Sequence, residues 1–436
     1  MRRRSILFAF IFSTILSAVV GILSNLAATY LAPSLENRSS LVYIALVGTF
    51  LISLPVSAYL FYRSLPEENP PSPITPSRPI PQQAPHLADV SEFLPEKLYR
   101  ELVGRDAVVG DVMSALRDPS GKWIICIDGI GGIGKTALAR EIVDICRKEN
   151  LFEIMIWEQA PKEQIRSGNQ AIGLLTFESV LDGIARQIGA MNVLQMKSSE
   201  KQEHIQSLTK NRRILVVLDN LETAKEDQNE IALKLRPMLN PGKALLTSRQ
   251  RFGSNVHGIH LTGLDEGAAL RFIRGDAEEK NIDRVASASD VELKRIARAT
   301  GGSPLAMKLV IGQLIHLPLD VILSNLREIH FEGDNRENEY VRFYKAIFMP
   351  SWKLLSQDAQ RLLISMANFV PNVGGTYDAI KATSGLSDDL LSNHIQELWR
   401  LSFLEIGQSA SLNKIRYYLH ALTQYFVLSD IVKILK

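Results

Sequence analysis

The sequence is poor in cysteine and almost balanced in charge. Two cysteines among 436 residues, Cys126 and Cys146, exclude a disulfide-stabilised scaffold and favour a reducing compartment. A formal net charge of +2 gives no reason to expect a protein that coats nucleic acid. Because 46% of the residues are hydrophobic and 22% are charged, general disorder is excluded, and the length predicts about two to four compact units.

Charge is almost absent near the N-terminus. Between residues 5 and 62 the only charged side chains are Glu36 and Arg38. Two uncharged apolar runs, residues 5–31 and 41–62, are each longer than the roughly 20 residues that a helix needs to cross a bilayer. The short polar stretch between them can turn a helical hairpin.

Basic residues flank this pair of runs. Three arginines at positions 2–4 precede the first run, and Arg63 follows the second. The positive-inside rule therefore predicts a transmembrane helical hairpin over residues 1–63, with the rest of the chain in the cytoplasm. A cleaved signal peptide is the alternative interpretation of the first run. Residues 64–96 are predicted to be a semi-rigid linker, because nine prolines lie between positions 66 and 95.

A phosphate-binding loop is the strongest motif in the sequence. Residues 123–128 form an apolar run typical of a buried parallel strand, residues 129–136 match G-x-x-x-x-G-K-T, and residues 137–146 have the spacing of an amphipathic helix. Backbone N–H groups of such a loop hold the phosphates of ATP or ADP. The candidate contacts are Gly129, Gly131, Gly132, Ile133, Gly134, Lys135, Thr136 and Ala137.

Three further residues are expected to complete the chemistry of this loop. Lys135 would neutralise the β- and γ-phosphates, and Thr136 would bind Mg²⁺. A second apolar run, residues 213–219, ends in Asp219, which is the candidate carboxylate ligand of the same ion. A third run ends in Arg249, which we expect to reach the γ-phosphate.

Hydrolysis also needs a group that orients the attacking water. Asn220, which follows Asp219, is not a base, and Glu222 is the nearest candidate, although a surface glutamate is an equally good interpretation. We therefore expect an ATPase with slow turnover.

These motifs, in this order, resemble the NB-ARC/AP-ATPase branch of the STAND NTPases, the switch ATPases of apoptosome-type adaptors, plant resistance proteins and bacterial signalling proteins. The resemblance extends to residues 102–105, 301–306 and 418–421. It implies that Val103 and Arg105 lie at the adenine, that Pro304 packs against the base, and that His420 meets the β-phosphate of ADP. Two positions depart from the family pattern, namely Asn220 and Ala421, where acidic residues are usual.

The resemblance also implies an architecture. We expect an α/β P-loop NTPase domain, with a parallel sheet between helices, at residues 97–262. A helical subdomain at residues 263–335 and a winged-helix domain at residues 336–436 would follow it. The candidate recognition helix of the last domain, residues 387–401, carries Arg400 as its clear cation among several acidic residues, so no nucleic-acid partner is expected.

The sequence thus predicts a membrane-anchored switch that is closed with ADP and self-associates with ATP, acting with an unidentified protein partner. Two alternatives stay open. One is an AAA+-like ATPase with steady turnover, and the other is a membrane-tethered scaffold whose nucleotide pocket is degenerate.

Overall fold

The structure is a computed structural model, and its description covers most of the chain beyond residue 89. The described residues are 90–159, 175–221, 224, 227–253, 255–327, 336–369, 374–409 and 414–432. The predicted transmembrane hairpin at residues 1–63, most of the linker and Glu222 lie outside them. Within the described ranges, no helix is long and apolar enough to cross a membrane.

A five-stranded parallel sheet forms the centre of the first part of the chain. Its strands run in the spatial order β2-β3-β4-β1-β5, which places the strand before the phosphate loop between two neighbours. The strands are β1 (Ile124–Asp128), β2 (Ile154–Gln159), β3 (Ile214–Asp219), β4 (Gly242–Ser248) and β5 (His257–His260). Every residue of β1 and β3 is buried, as expected for strands that are covered on both faces. The apolar runs predicted at residues 123–128 and 213–219 are confirmed as β1 and β3, to within one residue at each end.

Helices cover both faces of this sheet. Side chains alternate along β1, so that Ile125 and Ile127 join one core, while Ile124 and Cys126 join the other. The first two helices contribute to the first core and the next three to the second. They are α1 (Asp106–Arg117), α2 (Lys135–Lys148), α3 (Phe177–Gln187), α4 (Ser198–Thr209) and α5 (Gln228–Leu235).

The second part of the described chain is largely helical. It begins with α6 (Glu266–Glu279), α7 (Asp283–Ala286), α8 (Asp290–Ala299), α9 (Pro304–Gln313), α10 (Leu319–Arg327) and α11 (Arg336–Leu354). It continues with α12 (Gln357–Met366), β6 (Gly375–Thr376), α13 (Tyr377–Ser384), α14 (Asp388–Arg400), β7 (Leu404–Ser409), β8 (Lys414–Leu419) and α15 (Ala421–Phe426). The last three strands form a small antiparallel sheet in the order β6-β8-β7.

One hydrophobic core runs through this whole second part. It extends from Leu264 at the entry of α6 to Ile431 after α15, and an aromatic group of Tyr344, Phe348 and Phe426 lies within it. The helix predicted at residues 387–401 is present as α14, and the strands β7 and β8 follow it. The core crosses the predicted boundary at residues 335 and 336, so the two segments pack as one body.

Candidate nucleotide-binding site

The phosphate loop has the backbone conformation that its glycines allow. Gly132 and Gly134 have φ angles of 75° and 105°, in the left-handed region that other residues avoid. A Cβ on Gly134 would meet no atom within 4 Å, because this position faces open space. α2 begins directly after it, at Lys135. The helix N-terminus and the loop N–H groups thus border a cradle for an anion.

Lys135 is buried within this cradle. Its Nζ donates to the carbonyl oxygens of Gly129 at 2.7 Å and of Ile130 at 3.0 Å, so the side chain folds back along the loop. The ammonium group lines the cavity described below. It therefore supplies a fixed positive charge where the loop would receive phosphate.

Thr136 and Asp219 meet at the carboxyl ends of β1 and β3. The Thr136 hydroxyl lies 3.0 Å from both carboxylate oxygens of Asp219. A hydroxyl and a carboxylate are the oxygen ligands that Mg²⁺ takes in P-loop sites, with nucleotide oxygens and water filling the other positions. The donor set therefore fits the ion that the sequence predicts.

The chain turns sharply after Asp219. Asn220 adopts a left-handed conformation with φ of 64°, which asparagine tolerates better than most residues. Its N–H donates to the Thr247 hydroxyl at the end of β4, at 2.8 Å. Arg249 follows β4, which pairs directly with β1, and its half-buried side chain lines the cavity.

The segment before α1 packs against the loop on another side. The Arg105 guanidinium is buried and donates to the Ile133 carbonyl oxygen at 3.2 Å. Burial lowers the pKa of Arg105, although the nearby Asp265 opposes that change. A Cβ on Gly104 would lie 2.3 Å from the Cβ of Ala268 in α6, so this close approach requires glycine.

The helical part closes over the loop through the start of α9. Pro304 is the first residue of that helix, where its missing N–H costs nothing. The next N–H, of Leu305, donates a long hydrogen bond of 3.4 Å to the Gly132 carbonyl oxygen. Gly301 and Gly302, which precede the helix, both have positive φ. The turn therefore brings the α9 N-terminus against the phosphate loop.

His420 caps the last helix at the edge of the same space. Its Nδ1 accepts a hydrogen bond from the Leu422 N–H at 3.2 Å. A neutral His420 therefore carries its ring hydrogen on Nε2. Leu422 also approaches the loop, since a Cβ on Gly131 would lie 3.1 Å from its Cδ1.

An ion pair joins the two segments that meet around the loop. Lys308 in α9 donates to Glu405 in β7 at 2.7 Å. Burial favours the neutral forms, but the two opposite charges outweigh it, so the pKa of Lys308 is raised and that of Glu405 is lowered. His420 also lowers the pKa of Glu405 through its charge. This pair is charged at neutral pH and connects residues that are 97 positions apart.

A strap of residues 95–99 closes the remaining side. Its contacts to α2 include Tyr99 Oη to the Ala137 carbonyl oxygen at 2.9 Å and Lys97 to Glu141 at 2.7 Å. On its other side, Leu98 packs so closely against Gly407 that a Cβ there would lie 2.6 Å from its Cδ2. The strap therefore touches both the loop helix and the C-terminal sheet.

These segments enclose one cavity of about 250 Å³. Most of the residues predicted to bind nucleotide line it, namely Val103, Arg105, Gly131, Gly132, Ile133, Gly134, Lys135, Thr136, Ala137, Arg249, Pro304 and His420. Gly129 and Asp219 lie directly behind the lining and bond to Lys135 and Thr136. The individual roles assigned to these residues stay predictions.

Several residues at the site carry no signal in a known motif. They are Tyr99, Gln159, Thr247, Lys308, Glu405 and Leu422. Gln159 belongs to no motif, but its position could have pointed to the site. A polar residue at the end of a core strand lies at the same sheet edge as Asp219. The others meet the site through contacts that sequence spacing does not reveal.

Comparison with known proteins agrees with this geometry. Residues 105–274 match the family model of the NB-ARC domain. The matched segment includes the phosphate loop, Asp219 and Arg249. The chain is 28% identical over 229 residues to a probable disease resistance protein of Arabidopsis thaliana. This match covers 50% of this chain and 25% of that protein. It is 23% identical over 310 residues to the transcription activator GutR of Bacillus subtilis, covering 64% of this chain and 34% of that protein.

A solved structure also matches. A signal transduction ATPase with numerous domains from Pyrococcus horikoshii, which has a tetratricopeptide repeat sensor, is 17% identical to this chain. The match has a TM-score of 0.47 and covers 78% of this chain and 44% of that one. The chain spans between a quarter and a third of the length of the two curated relatives named above. The functions of those proteins as a whole therefore belong to chains that are about three to four times as long as the matched segments.

Proposed function

We propose that this protein is a nucleotide-operated switch of the NB-ARC/STAND type, closed around ADP and opening to self-associate when ATP replaces it. One observation carries the proposal. The cavity at the phosphate loop is walled by both parts of the described chain, since Lys135 belongs to the first part and His420 and Leu422 to the second. A ligand in that cavity touches both parts, so its identity can favour one arrangement of them over another.

Each residue has a defined task in this proposal. Lys135 and the loop N–H groups hold the phosphates, and Arg105, Val103 and Pro304 border the base. Thr136 and Asp219 hold Mg²⁺, which when bound offsets the negative charge of the phosphates. His420 lines the cavity and would donate through Nε2–H to a terminal phosphate oxygen, where Arg249 would add a positive charge. The small antiparallel sheet with α12–α14 acts as a winged-helix lid.

Turnover is proposed to be slow. Asn220 cannot act as a base, and Glu222 is the candidate for orienting the attacking water. A switch needs ATP to persist long enough for the opened form to assemble, so slow hydrolysis suits this function. An AAA+-like ATPase with steady turnover is the second candidate, and many turnovers per second by the purified chain would favour it.

The switch is proposed to be confined to a membrane. The apolar runs at residues 5–31 and 41–62 would anchor it with the nucleotide-binding part in the cytoplasm, and confinement would raise the effective concentration for self-association. A chain that lacks residues 1–63 should move to the soluble fraction of a cell lysate. Retention of that chain in the membrane fraction would contradict the hairpin.

Nucleotide binding is tested by removing the lysine of the loop. Lys135→Ala should abolish binding of ADP and ATP in a calorimetric titration of the full chain. Lys122→Ala, which changes a lysine that bonds to Asn255 outside the cavity, is the matched control. Unchanged affinity in Lys135→Ala would refute the proposed site. A wild-type chain that retains no nucleotide would support instead a scaffold with a degenerate pocket.

A further inference from the structure

Gln159 occupies a place that none of the sequence motifs explains. It is the last residue of β2, and the parallel register of β2 and β3 sets it beside Asp219. Its Nε2 donates to Asp219 Oδ2 at 2.6 Å. The Gln159 amide therefore contacts the same carboxylate as Thr136, but it does so from the neighbouring strand of the sheet.

Three side chains together satisfy this carboxylate. Asp219 is fully buried, so each of its oxygens needs a hydrogen-bond donor. Gln159 serves Oδ2, and the Thr247 hydroxyl lies 2.5 Å from Oδ1. Thr247 already accepts the Asn220 N–H, so its own hydrogen points to Asp219. Thr136 reaches both oxygens from the cavity side.

The donors are not equivalent once a cation binds. A Thr136 hydroxyl that turns its oxygen towards Mg²⁺ aims its hydrogen away from the ion and loses part of its hold on Asp219. Gln159 does not line the cavity, and the Thr247 hydroxyl is already bonded to Asp219 and to the Asn220 N–H, so both can keep their bonds to the carboxylate. They can therefore fix the carboxylate plane while its cavity side faces the ion.

We propose that Gln159, together with Thr247, is a positioning residue that holds Asp219 in the orientation required for Mg²⁺. It does not bind the ion itself. The inference rests on the proposed function, because it assigns these residues a task at the same nucleotide site. Groups that orient metal ligands in this way are worth about 10- to 100-fold in metal affinity.

The backbone beneath Gln159 is held in place as such a role requires. Among the residues that the structure describes, β2 is an edge strand of the five-stranded sheet, with β3 on one side and no strand on the other. Gln187 of α3 takes the place of a neighbouring strand at Trp157, since its Oε1 accepts the Trp157 N–H at 3.0 Å and its Nε2 donates to the Trp157 carbonyl at 2.9 Å. The end of β2 is thus fixed two residues before Gln159.

The test separates metal binding from nucleotide binding. Gln159→Leu keeps an uncharged side chain but removes the amide donor. The affinity of the full chain for a fluorescent ATP analogue is measured with EDTA and then across a Mg²⁺ titration. We expect the affinity in EDTA to match that of the wild type and the Mg²⁺ concentration at half-effect to rise about tenfold. Gln202→Leu, at a glutamine that bonds to the Lys234 carbonyl outside the cavity, should leave both unchanged.

A second variant guards against a failure to fold. Gln159→Asn keeps an amide that is one methylene too short to reach Asp219, and circular dichroism shows which variants are folded. A folded variant at position 159 with the wild-type Mg²⁺ requirement would overturn the positioning role while leaving the proposed function intact. A wild-type chain that binds no nucleotide, or that responds to no Mg²⁺, would overturn both.

Discussion

Glu158, the neighbour of Gln159 in β2, should make the stability of the nucleotide-binding domain depend on pH. Burial against α3 raises the pKa of this carboxyl from 4.5 to about 7, and Asp182 adds to the rise. The hydrogen bond from Gln187 to Glu158 Oε1, at 2.7 Å, and the charge of Arg186 oppose it. A carboxyl whose pKa is higher in the folded state binds protons more tightly there than in the unfolded chain.

The sign and the size follow from these two pKa values. Below pH 4.5 the group is protonated in both states and costs nothing, and above pH 7 its buried charge costs the full amount. Stability therefore falls as the pH rises from 4.5 to 7. The difference of about 2.5 pKa units corresponds to an upper limit of about 3 kcal/mol.

Glu158→Gln removes the titrating proton but keeps an oxygen that can accept from Gln187. The free energy of unfolding is measured by urea titration at several pH values from 4.5 to 8. We expect the variant to be more stable than the wild type at pH 8, with the difference shrinking towards pH 4.5. Glu153→Gln, at a glutamate that is 49% exposed, should follow the wild-type curve. Parallel pH profiles of wild type and Glu158→Gln would refute the reasoning.

Three further predictions concern the contacts that close the cavity. Glu405→Gln removes the carboxylate that pairs with Lys308 and should lower the free energy of unfolding, measured by thermal denaturation, by about 2 kcal/mol. Adding Lys308→Met to the same chain should recover most of that loss. Leu422→Ala removes the side chain that packs on Gly131 and should increase the release rate of a fluorescent ADP analogue, measured by stopped flow, by about tenfold or more. An unchanged release rate would show that α15 does not contribute to nucleotide retention. Tyr99→Phe removes the hydroxyl bonds to α2 and should raise hydrogen exchange in the strap at residues 95–99, with a loss of about 1 kcal/mol.

The sequence predicted the parts of this fold whose signals are local. Apolar runs indicated β1 and β3 because a strand covered on both faces needs hydrophobic residues throughout. The phosphate loop was predicted in full, since its glycines and Lys135 must be adjacent in the chain to curl around a phosphate. The helix at residues 387–401 was predicted as well, and it is present as α14.

Contacts between distant segments could not be predicted in this way. Lys308 and Glu405 are 97 positions apart, and each charged residue alone would be interpreted as a solvent-exposed surface residue. Gln159 needs the β2–β3 register before its partner is known, and the register is set by packing of the whole sheet. Asn220 departs from the acid that the resemblance implies, and its left-handed φ of 64° is a property of the turn after β3 that the sequence does not reveal.

The contacts around the cavity have interaction free energies of the magnitude that the proposed switch needs. To move a two-state equilibrium from 1:99 to 99:1, a ligand must favour one state by about 5.5 kcal/mol. In the proposed switch, the Lys308–Glu405 pair, the Leu422 contact with the loop and the strap at residues 95–99 would each stabilise the closed arrangement by an amount on the order of 1 to 3 kcal/mol. Loss of 2 kcal/mol from any one of them would shift the populations about thirtyfold. Single variants at these contacts should therefore change the nucleotide preference of the chain without touching the phosphate loop.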